Sequence, residues 1–391
     1  MADLRKLQLD LCMTSVFRSV LEHPIFEYFD EYFYSEDKDY IIHSYSAMVS
    51  EIYKLGGSLT DAVLRIIFED ENVYVKSRAK NENISPELAS AVAHELSVFE
   101  RFASLTPADF AEDLGLDYVS PFSSYKCDFA AAYESRVLDI AKHGYGIFAS
   151  HKMFRLDDGG KILPIASADK TALDSFIGYE NERDEVIENT IAFINDRPAL
   201  NVLLCGDAGT GKSSTVKAVA NAYFEQGIRL IELRKDQLSR LPYVMGKISE
   251  NPLKFIIFID DLSFNHNDDN FSMLKAALEG SASAKADNAL IYATSNRRHI
   301  VRETFSDREG GDVHRNDTMQ EKLSLSERFG LVVWYGKPSK QLYLEIVHEL
   351  CRRSNLDIPH PELDIKAEEF ALRRGNRSAR CAEQFVKSLQ Y

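Results

Sequence analysis

Long apolar runs are missing: no stretch of this 391-residue sequence approaches the roughly 20 residues that a membrane-spanning helix requires. The amino terminus, Met-Ala-Asp-Leu-Arg-Lys, leads into an amphipathic segment punctuated by Asp10, Arg18 and Glu22, which is no signal-peptide core. Cysteine is scarce. The five present (Cys12, Cys127, Cys205, Cys351 and Cys381) form no Cys-x-x-Cys pair, which argues against a disulfide framework and predicts reduced thiols in a cytoplasmic protein. His299 and His314 do not stand at metal-ligand spacing, so no site of the zinc type is expected. Cations are in deficit, with 46 Lys and Arg against 61 Asp and Glu and a net charge of −15. Residues 1–150 carry most of it, 13 against 25, while the remainder holds 33 against 36. Such a front half does not suit a broad nucleic-acid platform, because phosphate binding needs clustered cations. It reads as solvated helical faces or an acidic docking surface.

What is present divides by texture. Residues 1–150 show helical periodicity and few strand signals. Ile41, Ile42, Tyr45, Met48, Val49, Ile52 and Tyr53 recur on one face of Asp39 to Leu55. Ser85-Pro86 opens a helix that continues through Leu88, Val92, Leu96 and Phe99, and Asp128 to Phe148 repeats the pattern. His151 to Ile165 reads as a hairpin around Asp157-Asp158-Gly159-Gly160, followed by a linker to 173. Strand and helix then alternate, with strands expected at 201–205, 229–233, 255–260, 289–294 and 331–335, as in a parallel sheet. From Pro338 the signals are helical again, ending in Ala379 to Leu389. The expected domains are therefore 1–150, mostly helical; 151–173, hairpin and linker; 174–336, an α/β core; and 337–391, helical.

Residues 206–213 read Gly-Asp-Ala-Gly-Thr-Gly-Lys-Ser, the pattern G-x-x-x-x-G-K-[ST]. A loop that wraps its backbone N–H groups around a polyphosphate needs glycine for unusual φ and close approach. Gly206, Asp207, Ala208, Gly209, Thr210, Gly211, Lys212, Ser213 and Ser214 are thus the candidate nucleotide contacts. Lys212 supplies a point charge for the β- and γ-phosphates, and the Ser213 hydroxyl a ligand for Mg²⁺. The setting agrees. Asn201 to Cys205 suits a buried strand before the loop, and Val216, Val219, Ala220 and Phe224 mark a helix after it.

A second apolar strand, Phe255 to Ile259, ends in Asp260-Asp261. Asp260 suits a hold on Mg²⁺, in part through water, and Asp261 suits orienting or deprotonating an attacking water. Leu290 to Asn296 is a further strand with a polar end, where Asn296 can reach a γ-phosphate and the water together. Arg328, just ahead of 331–335, offers a guanidinium fork for the charge of a transferring phosphoryl group. No Asn-Lys-x-Asp segment follows a strand, which argues against GTP. No arginine-rich loop suited to closing over a phosphate donor is visible, which argues against a small-molecule kinase.

From Phe176-Ile177-Gly178-Tyr179 to the C-terminus the chain resembles an AAA+ ATPase module, and in wording an uncharacterised bacterial family of AAA+ superfamily ATPases. The phosphate loop, Asp260 to Phe264, Tyr292 to His299 and Glu321 to Gly330 carry the likeness. The resemblance implies a three-layer α/β/α core with a five-stranded parallel sheet (174–336), a C-terminal helical lid (337–391) and the helical N-terminal domain. It implies ATP and Mg²⁺ as ligands, Asn296 as first sensor, and Arg328 as an arginine finger reaching a neighbouring subunit's nucleotide. Arg380 matches the second sensor, with Arg377 in reserve, and Ile177, Gly178 and Tyr179 fall where such proteins line the adenine pocket. Two departures stand out. Asp261 occupies a position where glutamate is usual, and no aromatic-hydrophobic-glycine pore loop follows the second strand; Pro242 to Gly246 reads as ordinary helix.

The expected activity is ATP hydrolysis to ADP and phosphate, driving a switch or remodelling protein that acts on a protein client in a homo-oligomer, with no membrane partner. The alternative is a nucleic-acid-associated ATPase resembling replication initiators or helicase loaders. Its support is the basic group Arg297, Arg298, His299, Arg302 and Arg308 and the helix from Asn376 to Arg380. The polar stretch 305–322 is expected to be an intersubunit or nucleotide-sensing loop.

Overall fold

The computed structural model describes residues 3–165, 171–262, 269–278, 286–296, 328–356 and 358–390. The loop 305–322, the basic group from Arg297 to Arg308, and His314 lie outside them. The chain divides into two compact units, Met1–Ser150 with Asn251–Leu253, and His151–Glu250 with Lys254–Tyr391.

The first unit is helical among the described residues, and local chemistry sets where its helices start. Ser85 Oγ accepts the Leu88 N–H at 3.2 Å and Pro86 occupies the first turn of the helix Pro86–Ala103. That helix faces an aromatic core in which Phe102 meets Phe26 at 4.9 Å and Phe29 at 4.8 Å between ring centres. It also carries Glu95, a buried carboxylate that accepts the N–H groups of Ser15, Val16 and Phe17 and so fixes the turn leading into Arg18–Glu22. The expected helix Asp39 to Leu55 is Lys38–Lys54. Asp128 to Phe148 is not one helix. It runs as Phe129–Leu138 and Ile140–His143, interrupted at Asp139 and stopped by Gly144, whose φ is +62°.

The second unit is built on one sheet. Its strands are β1 (Met153–Leu156), β2 (Ile162–Pro164), β3 (Val202–Gly206), β4 (Ile228–Leu233), β5 (Lys254–Ile259), β6 (Ala289–Ser295) and β7 (Leu331–Tyr335). They lie in the order β2-β1-β4-β5-β6-β3-β7. All five expected strands are present, but the sheet has seven strands, not five, and is not wholly parallel. The hairpin joins it: β1 runs parallel to β4, with Phe154 opposite Ile231, and β2 returns antiparallel to β1. The added pair occupies backbone groups along β4 that an edge strand would leave open.

β3, apolar throughout and wholly buried, sits between β6 and β7, so its carboxyl end opens beside theirs. Crevices at such points in the strand order are where open α/β sheets bind ligands. The helix Lys212–Ala222 follows β3, and Pro242 to Gly246 lie in the helix Leu241–Ile248. Beyond β7 the helices Lys340–Arg353, His360–Arg374 and Ala379–Ser388 pack around Tyr343, Val347, Leu363, Ala367 and Phe385.

Candidate functional site

Three strand ends build the site: β3 delivers the glycine loop, β5 the two aspartates, and β6, lying between them, Thr294, Ser295 and Asn296. The loop leaves β3 at Gly206, with φ at +140°, and Asp207 N–H donates to Tyr335 O at 3.2 Å. Gly209 and Gly211 also take positive φ, +78° and +96°. Gly211 caps the helix Lys212–Ala222, whose first N–H groups have no intrahelical acceptor and form the positive end of its dipole. Thr210 Oγ1 donates to Asp207 O at 2.9 Å and stiffens the loop from within.

Lys212 is 5% exposed. Its ammonium donates to Gly206 O at 3.0 Å, Asp207 O at 2.7 Å and Asn296 Oδ1 at 3.1 Å. Burial lowers its pKa from the ordinary lysine value, opposed by the nearby carboxylates of Asp207, Asp260 and Asp261. Burial also pushes the Cys205 thiol up to about 11, so at neutral pH it is an uncharged packing group at the end of β3.

Ser213 Oγ donates to Asp260 Oδ1 at 2.6 Å, and Thr294 Oγ1 donates to the same oxygen. Asn296 Nδ2 donates to Asp261 Oδ1 at 2.8 Å. Lys212, Asn296 and Asp261 therefore form one hydrogen-bonded chain, with Ser213 and Asp260 touching beside it. Two hard oxygen donors side by side fit Mg²⁺, which takes one or two protein oxygens and completes its shell with phosphate and water.

Against the loop lies a cavity of about 410 Å³, a size suited to a small ligand. Ile177, Gly178 and Tyr179 line it on one side, Ser214 and Arg380 on others. Tyr179, itself at φ +59°, donates its hydroxyl to Gly336 O at 2.6 Å, and its ring lies 5.3 Å from that of Tyr335. Arg380 N–H donates to Gly209 O at 3.3 Å, bringing the last helix onto the loop. Arg377 is committed elsewhere, to Glu368 at 2.7 and 3.0 Å. Arg328 is half-buried, begins the described segment leading into β7, and is not among the residues lining the cavity.

Three residues that border the site are not singled out by sequence. Thr294 falls within the segment Tyr292 to His299 that carries the family likeness, but that likeness assigns it no role. Arg183, in the helix Glu180–Ile194, donates to Gly178 O and stacks over Phe176 at 5.4 Å. Arg353 donates to Ser175 O at 2.6 Å and Asp174 O at 3.3 Å, tying the helix Lys340–Arg353 to the segment before Ile177. Arginines within helical patterns read as solvated faces, so only the structure reveals these contacts.

Comparison with known proteins gives likenesses at several levels. The chain is similar to the chaperone protein ClpB of Rickettsia bellii, 31% identical over 122 residues that cover 27% of this chain and 14% of that protein. It is similar to ClpB 2 of Parasynechococcus marenigrum, 27% identical over 230 residues, 54% of this chain and 23% of that protein. The chain thus spans less than a quarter of the length of these relatives. Among solved structures, a RuvB variant of Thermotoga maritima aligns at a TM-score of 0.36 and 17% identity, covering 55% of this chain and 63% of that one. Residues 149–390 match the family described as Protein of unknown function (DUF815). The chain belongs to that family, which its sequence likeness to ClpB relates to the AAA+ ATPases.

Proposed function

From that membership and the geometry around Lys212, we propose that the protein binds ATP with Mg²⁺ and hydrolyses it to ADP and phosphate. The observation that carries the reading is the hydrogen-bonded chain Lys212–Asn296–Asp261 beside the Ser213–Asp260 pair. In this reading the N–H groups of the glycine loop receive the phosphates, and Lys212 turns from its resting carbonyls to the β- and γ-phosphate oxygens. Ser213 and Asp260 would hold Mg²⁺, which when bound neutralises charge on those oxygens. Asp261 orients the attacking water and accepts its proton, while the Asn296 amide fixes the Asp261 carboxylate. The adenine lies against Ile177, Gly178 and Tyr179, and Arg380 brings positive charge from the helical lid. Catalysis is then mostly positioning and charge stabilisation, as phosphoryl transfer generally requires.

Asp261→Asn keeps the shape of the side chain and removes its basicity. The variant should bind ATP as the parent does while phosphate release falls by about 100-fold or more. Unchanged turnover would remove Asp261 from this role. Phosphate release should also stop when EDTA withdraws Mg²⁺.

The reading extends to an oligomer in which Arg328 serves a neighbouring subunit's nucleotide. Arg328→Ala should lose on the order of 10³-fold in turnover, the scale of arginine fingers. Mixed with Asp261→Asn it should regain part of that activity, because each variant supplies what the other lacks. A monomer with normal turnover, or no recovery on mixing, would count against an action in trans. Residues 1–150 are then the candidate docking domain for a protein client; the chaperone name of the ClpB relatives supports a protein over a nucleic acid as the object of the work.

A further inference from the structure

β5 and β6 run in parallel register as far as Ile259 opposite Ala293. Three residues further along one strand but only one along the other, Leu262 N–H donates to Thr294 O at 2.7 Å. Regular register would bring the Asp261 N–H to Thr294 O, as Phe255 N–H meets Asn288 O, the residue before its partner Ala289. β5 thus carries one surplus residue here, a bulge-like mismatch that the backbone absorbs by placing Asp261 at φ +51°, a conformation that L-residues rarely adopt.

The Thr294 side chain closes this turn. Its hydroxyl accepts the Asp261 N–H at 2.9 Å and donates to Asp260 Oδ1. One hydroxyl has one donor and two acceptor sites, so both bonds are satisfied together. Thr294 is buried, and the neighbouring Ser295 Oγ donates to Leu262 O at 2.9 Å, stitching the far side of the turn to β6.

We infer that Thr294 is a positioning residue: its hydroxyl sets the Asp260 carboxylate against Ser213 and holds Asp261 in the left-handed conformation from which its carboxylate meets Asn296. Apolar packing alone would be met equally by valine. The bonds are met only by a hydroxyl, so serine suffices for them and valine does not. The role in catalysis rests on the ATPase reading; the role in shaping the turn does not.

Three measurements on Thr294→Val and Thr294→Ser test it. The first is the affinity of a fluorescent ATP analogue with Mg²⁺ and with EDTA. Thr294→Val should leave binding in EDTA unchanged, since Lys212 and the loop are intact, and should lose about tenfold of the tightening that Mg²⁺ gives. The second is steady-state hydrolysis, where kcat should fall at least tenfold, beyond the rise in KM that the weaker binding of Mg²⁺-ATP brings. Thr294→Ser should recover both. The third is the nucleotide-free crystal structure of Thr294→Val, in which Asp261 should leave positive φ or Asp260 turn from Ser213. A valine variant with parental Mg²⁺ response, turnover and Asp261 conformation overturns the inference, as does a serine variant no better than valine. If the parent protein itself shows neither Mg²⁺ response nor turnover, the ATPase reading fails, and the Asp261 conformation alone decides for or against Thr294.

Discussion

Lys212→Ala should abolish tight nucleotide binding, with affinity for ATP at least about 100-fold weaker, since hydrogen bonds to charged groups contribute roughly 1.5–3 kcal/mol each. The ammonium lies at the loop itself, and its three contacts hold it within reach of the backbone groups that would receive a phosphate. Its loss should not unfold the protein. The desolvation that lowers its pKa is relieved by alanine, which offsets the three lost bonds. Two measurements separate these effects. Titration calorimetry should lose the ATP signal. The melting temperature without ligand should stay near that of the parent, while its rise on adding ATP disappears. Parental affinity in the variant would remove the phosphate-binding role from Lys212.

Gly206→Ala should be the most damaging single change to the second unit. A methyl group at Gly206 would stand 1.9 Å from Tyr335 O and 2.6 Å from Tyr335 C, and φ there is +140°. Both neighbours are backbone atoms of β7, paired in register with β3, so no side chain can swing aside. Relief requires parting β7 from β3 at the point where the loop begins. Overpacking and the forced backbone together should cost more than about 4 kcal/mol. Gly246→Ala is the control. It lies in the helix Leu241–Ile248, where among the described residues nothing beyond its own helix backbone comes within 4 Å of the added carbon, and should be neutral or stabilise by up to about 1 kcal/mol. Urea unfolding of the two variants should separate them clearly; equal midpoints would contradict the assigned packing at Gly206.

The sequence is most informative where burial and chemistry coincide. Val202 to Gly206 and Phe255 to Ile259 are apolar runs ended by polar motifs, so both their strand character and their functional ends are readable in one pass. The hairpin 151–165 is readable as a hairpin, but its place in the sheet is not. Met153 to Leu156 pairs with β4 through backbone groups, which leave no trace in side-chain pattern. The same limit hides Thr294, whose importance comes from where Asp261 N–H points, and Arg353, whose partners are the carbonyls of Asp174 and Ser175. The helix expected across Asp128 to Phe148 overreached because its apolar spacing persists through Gly144, where the backbone turns positive.

The chain from Lys212 through Asn296 to Asp261 joins three strand ends by two hydrogen bonds. Each polar group there has a companion within the chain: the Lys212 ammonium donates to two carbonyls and to Asn296 Oδ1, and the Asp261 carboxylate accepts from Asn296 Nδ2. A ligand that draws Lys212 away frees Asn296 Oδ1 at one end while its Nδ2 keeps hold of Asp261 at the other. On the ATPase reading, a phosphate that drew Lys212 away would thus be felt across the β5–β6 ends through the exchange of a single bond.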